Sequence, residues 1–82
     1  MKPGDLVEST RFDPLGLSQL PGPVQSDNPV VTYMDREKLG LVIAVATTHN
    51  YTHGQSVEEA LVLYDNRLGW GVASWMKVHN DS

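Results

Sequence analysis

Cysteine is absent from the 82-residue chain, which excludes disulfide staples, thiolate metal sites and a cysteine nucleophile. Basic side chains are scarce. Six Lys and Arg face ten Asp and Glu, for a formal charge of −4. That balance disfavours a binder of phosphate backbones, whose affinity rests on clustered cations. No apolar run approaches the ~20 residues a membrane span needs. The start, Met1-Lys2-Pro3-Gly4-Asp5, lacks the apolar stretch of a signal peptide, so a soluble, non-secreted protein is expected. Length is limiting too. A chain of 9.1 kDa buries about 60–65% of its extended surface, enough for one small core and a single domain spanning residues 1–82.

Proline is missing beyond Pro29, whereas Pro3, Pro14, Pro21, Pro23 and Pro29 crowd the first thirty residues. Proline removes a backbone donor and fixes φ, so residues 10–30 are expected to form no regular central strand or helix, and residues 10–35 are read as a long Pro-rich loop or arm. Its hydrophobes, Phe12, Leu15, Leu17, Leu20 and Val24, distinguish it from a plain disordered linker. Two readings stay open: the segment docks on a partner, or it caps the barrel of its own chain.

The rest reads as strands. Gly4–Ser9 forms a short first strand after a Pro-Gly turn. Leu39–Thr48 is a nearly continuous apolar, β-branched run, as expected for a strand buried on both faces. Val57–Tyr64 is compatible with a helix, since Ser56 and Glu59 have capping-box spacing. It is read as a strand because it runs through Asp65–Gly69 into Trp70–Ala73, two apolar runs around a short turn. Ser74–Met76 makes a tight turn into a last strand, Lys77–His79. Five short strands without repeats or heptads predict an all-β fold, a small bent barrel that removes exposed edges.

This order of segments resembles the small SH3-like (KOW-like) β-barrel proteins encoded by bacteriophages, of the cyanophage type. Gly4-Asp5-Leu6-Val7, Leu39-Gly40-Leu41-Val42-Ile43, Asp65-Asn66-Arg67-Leu68-Gly69-Trp70 and Met76-Lys77-Val78 carry the likeness, which spans about half the chain. It implies a five-stranded barrel and a phage origin, with the virion or host cytoplasm as location. Two departures bear on function. Residues 10–35 separate strands that a KOW element keeps close, and only Arg11, Arg36 and Lys38 are basic where nucleic-acid-binding members carry a cationic loop.

Candidate chemistry is thin. His49 and His53 are spaced to share a metal only if helical, and Asn, Thr and Gly around them indicate a loop. Glu58 and Glu59 are adjacent, point to opposite faces of a strand and read as a solvated edge rather than an acid–base pair. No serine-hydrolase elbow, P-loop or dinucleotide fingerprint occurs. No enzyme, metal site or cofactor is therefore expected. Trp70, beside Gly71, reads as a core wedge. Trp75, at a turn, reads as a barrel lid or as an aromatic binding platform together with Tyr33 and Tyr64. The candidate partner-binding residues are Leu15, Leu17, Leu20, Val24, Tyr33 and Trp75. The expected role is a non-enzymatic protein–protein interaction module, a small virion component such as a capsid decoration, neck or tail subunit within a larger assembly. Two alternatives remain: an accessory protein that binds or inhibits a host protein, and a KOW-type nucleic-acid binder.

Overall fold

Asp65 and Asn66 adopt positive φ angles of 52° and 64°, the backbone a two-residue hairpin needs to match the twist of its flanking strands. They join Val57–Tyr64 to Arg67–Val72 in a tight hairpin of the computed structural model, which describes residues 1–10, 13–36, 38–49 and 56–79. Among the described residues seven strands follow in chain order: β1 (Leu6–Ser9), β2 (Leu15–Ser18), β3 (Val30–Met34), β4 (Gly40–Thr48), β5 (Val57–Tyr64), β6 (Arg67–Val72) and β7 (Met76–His79). A 3-10 turn, Ala73–Trp75, leads into β7. All pairings are antiparallel and give one curled sheet in the order β3-β2-β6-β5-β4-β1-β7, an all-β half-barrel whose ladder stays open between β3 and β7.

Two expectations are corrected here. The fold has seven strands, not five, and residues 10–35 are not a loop or arm outside the sheet. They contain the β2–β3 hairpin, and Leu15, Leu17 and Met34 are buried in the core. The prolines permit this because of where they stand. Pro14 and Pro29 each immediately precede a strand, where a missing N–H removes no ladder bond. Pro21 and Pro23 flank Gly22, whose φ of 120° turns the chain between the two strands. Proline thus punctuates the hairpin instead of preventing it.

The core lies inside the curl. Val42, Ala60, Val62 and Tyr64 meet Leu15, Leu17 and Met34 from one side and Val7 and Met76 from the other. Each fully buried aliphatic side chain contributes about 1.5–3 kcal/mol. Gly69 and Gly71 face this core and leave room for β2: a Cβ on Gly69 would stand 2.5 Å from Leu17 Cβ, and one on Gly71 would stand 2.6 Å from Met76 Cε. The Tyr64 hydroxyl accepts the Asp35 N–H at 3.0 Å, which ties the end of β3 to β5.

β4 is not buried on both faces. A bulge between Val42 and Ala44 leaves Ile43 exposed, and only one face of β4 meets the core. A single curled sheet has one inside; among the described residues no second sheet or helix covers its convex face, only the Pro21-Gly22-Pro23 turn over part of β5.

Candidate functional site

β2 and β6 pair at one position, Ser18 opposite Trp70. Beyond it the two strands part, with Leu15 and Gly16 on one side and Gly71 and Val72 on the other. The opening is a cleft of about 250 Å³ with a mainly apolar lining. Trp70 and Trp75 form its aromatic walls, and Pro23 and Val24 form a rim. Trp75 is positioned by its own carbonyl, which accepts both the Thr10 N–H at 3.0 Å and the Thr10 hydroxyl at 3.1 Å. The 3-10 turn is thereby fastened to the end of β1.

The rim is held by Asn28, which is buried although it lies in a loop. Its Oδ1 accepts the Leu20 N–H at 2.7 Å, while its Nδ2 donates to the carbonyls of Leu20, Pro23 and Gly22 at 2.9, 3.1 and 3.3 Å. Ser18 Oγ adds a bond to the Leu20 carbonyl at 2.7 Å. A side-chain amide that meets several loop carbonyls removes the freedom such a segment would otherwise keep. The rim is pre-ordered.

Glu59 also lines the cleft and is 1% exposed. It accepts the Gly22 N–H at 2.8 Å and the Thr48 hydroxyl at 3.4 Å. Its expected place on a solvated edge is corrected: Glu58 is exposed, but the Pro21-Gly22-Pro23 turn folds over the convex face of β5 and covers Glu59. Charge-assisted bonds of this kind are worth more than neutral ones and pin the turn to the sheet.

The candidate binding residues divide. Leu15 and Leu17 are 3% and 0% exposed, so they serve the chain's own core, and Leu15 reaches only the cleft's base. Leu20, Val24, Tyr33 and Trp75 are exposed. Val24 and Trp75 meet at the cleft. Tyr33 stands opposite Gly16, and Leu20 lies at a neighbouring groove with Pro21 and His49. Tyr64 is buried and joins no platform. Trp70 is not the expected core wedge: it points to the convex face, opposite Leu61, while its glycine neighbours face the core. The reason is strand alternation, which gives the inward positions to Gly69 and Gly71. Alternation alone groups Trp70 with Leu68 and Val72 as the apolar face of residues 67–72, so only the close approach of Leu17 to Gly69 and Gly71 reveals which face is inward. Nothing local to residues 20–28 signals Asn28 or the cover over Glu59.

His53 lies outside the described residues. His49 Nδ1 is 2.9 Å from Ser56 Oγ. It sits beyond the far end of β4 from the Leu41 row to which His79 belongs, on the order of 20 Å away along the strand. Among the described residues no three potential metal ligands converge. Comparison with known protein families, characterised proteins and solved structures finds no match.

Proposed function

We propose that the chain is a non-enzymatic protein–protein interaction module that receives an apolar anchor side chain in the Trp70–Trp75 cleft. The carrying observation is the cleft itself: two partly exposed tryptophans around about 250 Å³, on a rim fixed by Asn28. Sites for small molecules and cofactors usually enclose roughly 300–1,000 Å³. A smaller aromatic-walled recess suits one side chain of a partner, and such anchors dominate interface energetics. A pre-ordered rim lowers the entropy lost on binding.

An SH3-like reading of the half-barrel is supported by the pairing of first and last strands, the β4-β5-β6 meander and the 3-10 turn before β7. The β2–β3 hairpin then occupies the place of the long first loop. On the phage resemblance, the module serves as a small structural or accessory component of a virion. The adhesive element is the cleft and not a free arm.

Selection of random peptides on the immobilised protein tests the binding role. Sequences with one large apolar residue should be enriched, and Trp75→Ala should weaken their binding by about tenfold or more, the cost of losing an aromatic anchor, with the circular dichroism unchanged. No enrichment, or equal binding by the variant, would refute it. Mass spectrometry of purified particles of the encoding phage tests the virion role, which their lack of the protein would eliminate.

A further inference from the structure

The strand register places Leu6 of β1 opposite Leu41 of β4, Leu41 opposite Leu63 of β5, and Leu63 opposite Leu68 of β6. Residues directly opposed on neighbouring strands share a face. Four leucines therefore cross four strands in one row on the convex side. Leu6 is 36% exposed, Leu63 39% and Leu68 51%. Ala44 and Leu61 form the next row, and Ile43 stands exposed at the bulge beside them. Beyond the Leu6 end the row continues to His79, and in the adjacent row Glu8 stands opposite Lys77, so at this rim one acidic side chain is set against one basic one.

From this row we infer that the protein forms a two-fold dimer by packing the convex faces of two copies together. Area supports the choice of partner. The exposed parts of these side chains sum to on the order of 450 Å² of apolar surface, at the scale that marks an interaction site on a monomer. A standard contact buries about 800 Å² per partner, and homodimer contacts are about 65% apolar. The face thus supplies nearly the whole apolar part of one such interface. Shape supports it too. A row of leucines on a β-surface is its own complement under a two-fold axis, since each copy offers the same ridge to the other. Stacked sheets pack about 10 Å apart with interdigitated side chains, which gives the half-barrel its missing second layer. Trp70 continues the Ala44–Leu61 row on this face and also walls the cleft, so the dimer contact borders the cleft along β6.

Sedimentation equilibrium on the full chain across a concentration series tests the dimer. The wild type should approach twice the 9.1 kDa monomer mass, and Leu63→Asp and Leu68→Asp should each weaken association by about tenfold or more. Both sites are exposed, so the circular dichroism should not change. Leu68→Ser, a milder change, gives the same reading if an aspartate variant misfolds. Trp75→Ala should leave the mass unchanged, which separates this result from the fate of the cleft. A wild type that stays monomeric at several hundred micromolar would overturn the inference, as would a dimer indifferent to Leu63 and Leu68, or leucines covered only by a different protein.

Discussion

Leu17→Ala offers the sharpest test of the fold, because it asks whether the Pro-bearing front of the chain belongs to the core. Leu17 is 0% exposed and packs over Gly69 and Gly71. Truncation of a buried leucine costs about 2.7–5 kcal/mol, more where the site cannot collapse. Here two of the neighbours are glycines, which have no side chain to swing into the void, so the upper half of that range is expected, about 4 kcal/mol. Small domains hold only about 5–15 kcal/mol in all. With a urea slope of about 1 kcal/mol/M for a chain of this size, the midpoint should fall by roughly 3–4 M. Leu20→Ala, at a side chain that is 53% exposed, should move the stability by less than about 0.5 kcal/mol. If Leu17→Ala leaves too little folded protein to titrate, Leu17→Val should still show a loss of about 1 kcal/mol. Equal, small effects at Leu17 and Leu20 would refute the reasoning and return residues 13–34 to the outside of the sheet.

Two further outcomes follow from the same packing. Gly71→Ala should cost about 1–3 kcal/mol in urea titrations because its Cβ meets both Met76 Cε and Leu17 Cδ2. The penalty should shrink in a Leu17→Ala background, a coupling of about 1 kcal/mol that an additive double-mutant cycle would contradict. Glu59→Ala should cost about 2–3 kcal/mol and accelerate amide exchange at Gly22, since it strands a buried donor. Glu59→Gln keeps an acceptor and should cost less. If both variants behave alike, the Gly22 bond is not what holds the turn.

The β4-to-β7 half of the fold was legible because its signals are local. The two apolar runs around Asp65–Gly69 and the tight turn at Ser74–Met76 each lie within a few residues of what they determine. The first half was not legible, because β2 is stabilised by residues some fifty positions away. Leu17 reads as adhesive until Gly69 and Gly71 are seen to make room for it. The same distance hides the site. Trp75 and Val24 stand out as exposed candidates in the sequence, but the recess between them exists only because β2 and β6 part after Ser18 and Trp70. Glu59 reads as solvated because the turn that covers it is thirty-seven residues earlier. The leucine row needs register across four strands, which no single segment contains.

β1 pairs with β7 along its whole length, Leu6 with His79 through Ser9 with Met76, so the first described strand is completed by the last described one. During synthesis Val7 must wait, uncovered, until Met76 has cleared the ribosome, and a premature stop anywhere before β7 leaves it uncovered for good. Val7 and Leu17 both pack against residues made some fifty or more positions later, an arrangement that slows folding toward milliseconds or longer. The nascent chain is therefore a natural client for whatever shields exposed strands in the cell until β7 has emerged.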